Sequence, residues 1–290
     1  MPKSAKTQPR VLQSPRKRKK DLRFVIITPS YNQAKFIEET LQSVLSQPGV
    51  DVEYWVMDGK SNDGTHAVLR KFARRKFARK QLHWISAKDK GQTDALNRGL
   101  HKAHWLKSSR GELDRTIVAY LNSDDAYLPG ALAQVAATFR THVGVQWVVG
   151  DCEVIDEHGQ QIHQPIAWYK RVVREVYAPW ILQVLNPIPQ PATFWRASVL
   201  RKVGMFNDEL RYVMDYEYWL RLQRACGAPY FIDQPLAKFR VHGQSKGGRQ
   251  FTAQFREQFA VAKKQGASAL LLFLQRCHNW LTITTYRAIK

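Results

Sequence analysis

The sequence is poor in cysteine and has no long apolar segment. Its three cysteines, Cys152, Cys226 and Cys277, show neither paired nor metal-like spacing, so we expect free thiols in a reducing compartment. No apolar run approaches the roughly 20 residues that cross a bilayer, and the N-terminus lacks the apolar core of a signal peptide. These absences predict a cytoplasmic protein that is either soluble or peripheral on the inner face of the cell membrane.

Acidic residues are almost missing from three segments that carry the positive charge. Residues 1–20 contain eight Lys or Arg and no acid, residues 70–80 contain seven and no acid, and residues 246–290 contain eight against one Glu. Since the formal charge is +21, the rest of the chain is nearly neutral. Basic peripheral segments suit an anionic surface, which is either nucleic acid or membrane. We expect residues 1–20 to form a disordered tail that either solubilises the protein or contacts anionic lipid.

The nucleic-acid alternative has no other support in the sequence. Zinc-finger spacing, a helix-turn-helix pattern and an aromatic RNA-binding signature are all absent. No nucleic acid partner is therefore expected, and a basic nucleic-acid-binding protein is kept only as an alternative function.

Short apolar runs alternate with helical patterns in the first half of the chain. The predicted strands are Phe24–Thr28, Tyr54–Met57, Leu82–Ser86, Ile117–Leu121 and Val145–Val149. This alternation predicts an α/β fold, in which a mostly parallel sheet carries helices on both faces. Polar Asp, Asn, Ser or Gly residues follow the strands, so we expect polar groups to gather at one edge of the sheet.

The pattern becomes irregular after Gly150, where several prolines punctuate the chain. We expect a short helix at about Ala197–Val203, a longer helix that opens near Asp215, and a strand over Leu236–Val241. Residues 246–290 predict two further helices, for which contact with a membrane is an expectation.

Two adjacent carboxylates, Asp124 and Asp125, follow the predicted strand Ile117–Leu121 and precede the turn signal Pro129-Gly130. Neighbouring acids repel each other, so such a pair is either a solvated turn or a cation site. Mg²⁺ and Mn²⁺ bind carboxylate oxygens and complete their shells with substrate phosphates. Both interpretations stay open on these residues alone.

Five motifs resemble family 2 glycosyltransferases of the Rossmann-like GT-A fold, in the order and spacing of that family from Phe24 to His242. They are Pro29-Ser30-Tyr31-Asn32, Asp58-Gly59-x-Ser61-x-Asp63-Gly64-Thr65, Asp89-x-Gly91-Gln92-x-x-Ala95-Leu96-Asn97-x-Gly99, Leu121-Asn122-Ser123-Asp124-Asp125 and Asp215-Tyr216-Glu217-Tyr218-Trp219-Leu220. The resemblance implies inverting transfer of a sugar from a nucleoside diphosphate donor to a hydroxyl of a glycan or a lipid-linked acceptor. Polysaccharide, lipopolysaccharide or glycolipid synthesis is the implied setting.

The resemblance also divides the chain. It implies a GT-A domain over residues 21–245, with a nucleotide-binding half of about 21–150 and an acceptor half of about 151–245. Residues 246–290 would add the C-terminal helices. The remaining alternative is a nucleotidyltransferase on a similar sheet, although the chain lacks a triphosphate loop rich in Gly, Lys and Arg near its first strand.

Donor-binding residues follow from the matched motif positions. Resemblance assigns the nucleotide-sugar to Pro29, Tyr31, Asp58, Asp89 and Asp124, with the nucleobase stacking on the Tyr31 ring and hydrogen-bonding the Asp58 carboxylate. For Asp58 the alternative is a plain turn residue before Gly59. For Asp89 the alternative is an ion pair with a neighbouring lysine.

A Mn²⁺ or Mg²⁺ ion is the implied cofactor, because a metal stabilises the charge of a leaving diphosphate. Its expected ligands are Asp125, Asp124 and His242. For Asp124 the alternative is contact with the ribose hydroxyls, and for His242 the alternative is a purely structural role. The family often has Asp where this chain has Asn122.

An inverting transferase needs one base that takes the proton of the acceptor hydroxyl. Asp215 matches the family position of that base, at the start of a helix whose N-terminus favours a carboxylate. Glu217 ranks second, either as a base or as the structural partner of Arg221 four residues later.

Overall fold

The computed structural model describes residues 22–75, 81–103, 108–162, 164–243 and 251–289. The predicted tail of residues 1–20 and the end of the basic segment, residues 76–80, lie outside this part of the chain.

The described residues contain eight strands that form one mixed sheet. In chain order they are β1 Arg23–Ser30, β2 Asp51–Asp58, β3 Leu82–Ser86, β4 Thr116–Tyr120, β5 Ala126–Tyr127, β6 Trp147–Ile155, β7 Thr193–Arg196 and β8 Tyr230–Arg240. Their order across the sheet is β3-β2-β1-β4-β7-β6-β8-β5. Strands β1 to β4 are parallel, β7 runs antiparallel to β4 and β6, and β8 is parallel to β6 and antiparallel to β5. The prediction of a mostly parallel α/β sheet is confirmed.

Helices cover both faces of this sheet. In chain order they are α1 Ile37–Leu45, α2 Thr65–Ala73, α3 Gln92–Lys102, α4 Arg110–Arg115, α5 Ala131–Thr141, α6 Gln164–Glu175, α7 Ile181–Val184, α8 Leu200–Val203, α9 Met214–Cys226, α10 Phe251–Lys264 and α11 Ala269–Ile289. Short 3₁₀ turns precede β7 and α8.

The strand sequences explain why both faces are covered. In β1, Phe24 and Ile26 pack in the core under α1, α2 and α5, whereas Val25 and Ile27 pack in the core under α3, α8 and α9. Side chains of a strand alternate between the two faces, so a strand that is apolar at every position needs helices on both sides.

Helix α3 lies unusually close to the sheet because of Gly99. A Cβ atom at this position would come within 2.7 Å of Ile27 Cγ2 and 3.1 Å of Met57 Cγ. Asn97 of the same motif fixes the loop after α8 through two hydrogen bonds. Its Nδ2 donates to the Phe206 carbonyl at 2.9 Å, and Phe206 N donates to its Oδ1 at 3.1 Å. These residues of the third motif are therefore structural.

The structure extends the predicted strand Val145–Val149, because β6 runs from Trp147 through Gly150 to Ile155. A Cβ atom here would lie 2.4 Å from Leu236 Cδ1, so glycine permits close packing of β6 against β8 and does not mark a turn. The pairing of β6 with β8 shifts register at the same place. Strand β7 was not predicted at all. Its four residues are too few to show a period, and they belong to the sheet only through pairing with β4 and β6.

The last two helices are confirmed and pack on the second half of the domain. Helix α10 contacts α9, and α11 contacts α10 and α7. No helix within the described ranges is long and apolar enough to cross a membrane. The three cysteines are free thiols.

Candidate functional site

The carboxyl ends of β1, β2 and β3 are joined into one polar edge, as predicted. Gly59 N donates to the Ser30 carbonyl at 2.8 Å, and Ala87 N donates to the Asp58 carbonyl at 2.9 Å. Asn32 N donates to Ser61 Oγ at 2.8 Å. The loops after the three strands therefore support one another, which fixes the side chains that they carry.

Asp58 ends β2 with its carboxylate buried and surrounded by donors. Ser61 Oγ donates to it at 2.5 Å, Ser86 Oγ at 2.7 Å, and His66 Nε2 lies 2.7 Å away. Burial by itself would raise the pKa of Asp58, but the hydrogen bonds from Ser61, Ser86 and His66 outweigh it and hold the pKa below its usual value. The carboxylate is thus an internal acceptor that organises the turn, which agrees with the turn alternative.

Tyr31 and Asp89 flank Gly59 at this edge. Tyr31 is 61% exposed, and a Cβ atom on Gly59 would lie 3.3 Å from its ring and 2.8 Å from Asp89 Oδ2. Burial raises the pKa of Asp89, against a hydrogen bond from Gly91 N. Pro29, the neighbour of Ser30 on β1, is buried in register with Met57. The Tyr31 ring is therefore the accessible member of this group.

An open pocket of about 360 Å³ adjoins these residues, between β2, β3 and α3. Asp58 and Asp89 line one side, and the basic side chains Arg98, His101 and Lys102 of α3 line the other. The positive charges of Arg98, which also pairs with Asp94, and Lys102 suit an anionic ligand.

Asp124 and His242 meet at the end of β4. Their Oδ2 and Nε2 atoms are 3.0 Å apart, although the residues are separated by 118 positions in the sequence. His242 also packs against the Phe36 ring, with ring centroids 4.8 Å apart. The structure thus brings together two of the three predicted metal ligands.

Asp125, the third expected ligand, makes its hydrogen bonds to other residues. Its side chain is 1% exposed, its Oδ1 accepts from the Arg240 backbone N–H at 2.9 Å, and its Oδ2 accepts from Asn122 Nδ2 at 3.3 Å. Burial raises its pKa well above the usual range, and the charge of Asp124 raises it further. Both oxygens of Asp125 thus already accept internal hydrogen bonds.

Asn122 is linked to three polar neighbours. Its Oδ1 accepts from Gln92 Nε2 at 2.7 Å, and its Nδ2 donates to Gln190 Oε1 at 3.0 Å as well as to Asp125. Gln190 in turn donates to the Tyr120 carbonyl at 2.7 Å. An aspartate at position 122 would have no N–H to donate to the Asp125 carboxylate and would repel its charge, so the amide of Asn122 suits this site.

Arg240 is the residue that sequence reasoning missed. Arg240 is only 3% exposed, and its guanidinium is satisfied by internal partners. It donates to the Asp124 carbonyl at 2.9 Å and the Asp156 carbonyl at 3.0 Å, and it pairs with Glu39. Together with its backbone bond to Asp125, it ties the acidic loop to the end of β8, two residues before His242. The only sequence signal was a charged residue inside an apolar strand pattern.

Asp215 opens α9 beside the same strand end. Its Oδ1 accepts from Tyr216 N at 2.7 Å, and burial raises its pKa against that bond and the charge of Lys170. Burial also raises the pKa of Tyr120, the last residue of β4, and the charges of Asp215 and Asp125 raise it further. Met214, the residue before Asp215, accepts from Thr93 Oγ1 at 2.8 Å, and Gln92 beside Thr93 donates to Asn122 in the loop after β4. These contacts place the start of α9 near that loop.

Glu217 is buried and serves as a structural partner. Arg221 donates to both of its oxygens, at 2.8 and 2.7 Å, and Gln265 Nε2 donates at 3.1 Å. Arg221 also binds the carbonyls of Val203 and Met205, so this ion pair anchors the loop between α8 and α9.

A divalent metal is only partly accommodated by these residues. No group of three or more His, Cys, Asp or Glu side chains within the described ranges is arranged to hold a metal ion. The Asp124–His242 pair nevertheless supplies a carboxylate and an imidazole, and Mg²⁺ or Mn²⁺ sites commonly use one or two protein ligands plus substrate phosphates.

Comparisons with curated proteins give relatives that are named as glycosyltransferases. An uncharacterized glycosyltransferase of Rickettsia typhi is 25% identical over 222 residues, which are 75% of this chain and 63% of that protein. One from Nostoc sp. is 25% identical over 273 residues, 85% of this chain and 78% of that protein. The chain thus spans just under two thirds of the length of the former.

Solved structures share the fold. A fragment of S. aureus TarS in complex with UDP-GlcNAc has a TM-score of 0.62 at 17% identity, over 84% of this chain and 66% of that one. The mannosyltransferase PcManGT of Pyrobaculum calidifontis, in complex with GDP-Man and Mn²⁺, also gives 0.62, at 18% identity over 90% of this chain and 70% of that one. The fold is therefore GT-A. Because the model of the family described as Glycosyl transferase family 2 matches residues 25–204, more than half of the sequence, this chain belongs to that family.

Proposed function

We propose that this protein is an inverting glycosyltransferase, which moves a sugar from a nucleoside-diphosphate-sugar to an acceptor hydroxyl. The observation that carries the proposal is the Asp124–His242 pair in the loop after β4, to which the contacts Thr93–Met214 and Gln92–Asn122 bring the start of α9 with Asp215. Family membership and the nucleotide-sugar complexes of the two solved relatives support it.

Donor binding falls to the edge formed by the first three strands. The exposed ring of Tyr31 offers a stacking surface to the nucleobase, and the cations of α3 would attract the anionic donor. Asp58 and Pro29 would shape this site from within, since Pro29 is buried and the Asp58 carboxylate already accepts from Lys60 N, Ser61 N, Ser61 Oγ and Ser86 Oγ and contacts His66 Nε2. Asp89, half-buried beside Gly59, is the carboxylate that remains available to the sugar-nucleotide.

Mn²⁺ or Mg²⁺ would be held by Asp124 and His242, with the remaining positions filled by diphosphate oxygens and water. When bound, the ion would stabilise the negative charge of the leaving nucleoside diphosphate. Asp125 would act indirectly, because its hydrogen bond to Arg240 N keeps the acidic loop beside the end of β8. A divalent ion accompanies the donor in the PcManGT structure.

Asp215 would act as the general base. As the acceptor oxygen forms its bond to the anomeric carbon, its proton passes to the Asp215 carboxylate and the carbon–oxygen bond to the diphosphate breaks with its electron pair. The hydrogen bond from Tyr216 N orients the carboxylate, and burial makes it more basic than an exposed aspartate. Glu217 is committed to Arg221 and would not compete for the proton.

The acceptor would bind on the side of α6, α7 and α9, which corresponds to the acceptor half of the domain, residues 151–245. A glycan or a lipid-linked acceptor fits the aromatic surface there, since Trp168 and Trp180 are 67% and 51% exposed. Polysaccharide, lipopolysaccharide or glycolipid synthesis on the inner face of a membrane would be the setting.

A ligand screen tests the proposal directly. Thermal unfolding of the protein is measured with each nucleoside diphosphate, with and without Mn²⁺, since a ligand of the native state raises its apparent stability. We expect one diphosphate to raise the melting temperature only with the metal, and the matching nucleotide-sugar to release that diphosphate during turnover. Release of pyrophosphate would indicate a nucleotidyltransferase, and salt-sensitive RNA binding without any nucleotide effect would indicate a nucleic-acid-binding protein.

A further inference from the structure

Helix α11 is amphipathic in the reverse sense of an ordinary surface helix. Its exposed side chains include Leu270, Phe273, Leu274, Trp280 and Leu281, at 66, 62, 38, 68 and 60% exposure. Their spacing of three, four and seven residues places them on one stripe of the helix. The side that faces the protein carries the fully buried Gln275 and Asn279, which is 8% exposed, beside the half-buried Leu271, Leu272 and Ile283. Water thus covers the apolar side, which an isolated domain would normally bury.

The stripe is also suited to an environment without water. Thr284 continues it by one turn, and its hydroxyl donates to the carbonyls of Trp280 at 2.7 Å and Leu281 at 2.9 Å. Backbone groups of the helix bond within it. Moving this side of α11 out of water would therefore leave the Thr284 hydroxyl and the helix backbone paired, and the Trp280 indole N–H as the polar group that would need to stay at the water interface.

Positive charge surrounds the stripe. Lys263 and Lys264 are exposed at the end of α10, just before α11, and Arg276 is exposed between Phe273 and Trp280. The only acid of residues 251–289 is Glu257, and its carboxylate accepts the backbone N–H groups of Tyr212 and Val213, at 2.6 and 3.0 Å, at the start of α9. Residues 251–289 thus combine an apolar stripe with exposed cations, and their one acid is engaged by backbone N–H groups.

We propose that the stripe is a membrane-docking surface, on which α11 lies in the plane of an anionic leaflet. Phe273, Leu274 and Leu281 would enter the acyl region, Trp280 would sit at the interface, and the three cations would meet lipid phosphates. This proposal does not depend on the reaction proposed above, because it concerns a surface that binds without nucleotide or metal.

The docking surface is close to the acceptor side of the domain. Helix α11 packs against α7, and the exposed Trp180 immediately precedes α7. Docking would therefore bring the proposed acceptor side toward the headgroup region, where the hydroxyl of a lipid-linked acceptor would be found.

Sedimentation with vesicles tests the surface. The full chain is mixed at low salt with equimolar phosphatidylglycerol and phosphatidylcholine vesicles, in the absence of nucleotide. A double variant, Phe273→Ser with Trp280→Ser, is compared with Val143→Ser, which removes a 77% exposed valine away from α11. We expect the double variant to lose vesicle partitioning by roughly tenfold or more and Val143→Ser to bind like the parent protein. Added salt should weaken binding of the parent protein, because screening removes the attraction of the cations.

The outcomes separate the membrane from other occupants of the stripe. All three changed side chains are exposed, so circular dichroism should show unchanged folding. Equal vesicle binding by the double variant and the parent overturns the proposal. So does a parent protein that stays unbound and forms dimers which the double variant cannot form, because the stripe would then be an interface between two copies of this chain.

Discussion

The substitution Asp215→Asn tests the proposed base with the least change in geometry. The asparagine oxygen can still accept the hydrogen bond from Tyr216 N, which is 2.7 Å from Asp215 Oδ1, so the side chain should keep its orientation. Only the ability to take a proton is lost. A positioned base contributes roughly 10²–10⁴-fold to a rate, which corresponds to about 3–5 kcal/mol of barrier. Turnover should therefore fall by that factor, while nucleotide binding is unchanged.

The pH dependence gives a second, independent reading of Asp215. Burial raises its pKa, and a base works only in its unprotonated form, so kcat/KM of the parent enzyme should fall as the pH drops through a pKa above that of an exposed aspartate. The residual activity of Asp215→Asn should lack this acid limb. The variant should lose activity but gain stability. A carboxylate whose pKa is raised by folding destabilises the folded state at pH values above that pKa, so Asp215→Asn should raise the free energy of unfolding near neutral pH. In acid, where Asp215 is protonated, the parent and the variant should be equally stable.

The matched control is Glu217→Gln, which removes the charge of the neighbouring acid on α9. Because Glu217 is paired with Arg221, we expect a loss of about 1–3 kcal/mol in the free energy of unfolding and a small effect on turnover. Steady-state rates at saturating donor and acceptor, with urea unfolding of each variant, decide the matter. Near-normal turnover in Asp215→Asn, together with loss in Glu217→Gln, would refute the assignment of the base.

Three further predictions concern the acidic loop and the sheet. Asp124→Ala should abolish Mn²⁺-dependent binding of nucleoside diphosphate without loss of stability. Asp125→Ala should lower the free energy of unfolding by about 1–3 kcal/mol, because the Arg240 N–H loses its acceptor. Equal losses of stability of the two variants in urea would contradict these different roles. Arg240→Lys keeps the charge but not the planar donors, so calorimetry should show weaker metal-dependent nucleotide binding, and unchanged affinity would argue against a positioning role. Gly150→Ala should destabilise the fold by about 1–3 kcal/mol through its clash with Leu236, and an unchanged urea midpoint would show that β6 and β8 can separate at no cost.

The sequence by itself determined the parallel part of the sheet, β1 to β4, and its polar edge. Strand β3 spans Leu82–Ser86 as predicted, and β1, β2 and β4 differ from their predictions only at the ends. Apolar runs of this kind, separated by helical patterns, can be buried only as parallel strands covered on both faces, and the ends of parallel strands necessarily meet. The positions of Tyr31, Asp58, Asp89 and Asp124 at one edge follow from that rule.

The tertiary structure alone decided which of the two adjacent aspartates, Asp124 or Asp125, contacts His242. Asp124 and Asp125 are equivalent in local sequence, but Arg240, which lies 115 residues beyond Asp125, donates its backbone N–H to Asp125 and leaves Asp124 to meet His242. The same holds for α11, whose period predicts an amphipathic helix but not which side is turned inward. Burial of Gln275 and exposure of Trp280 depend on the surfaces of α7 and α10, and contacts between distant segments leave no mark in a local pattern.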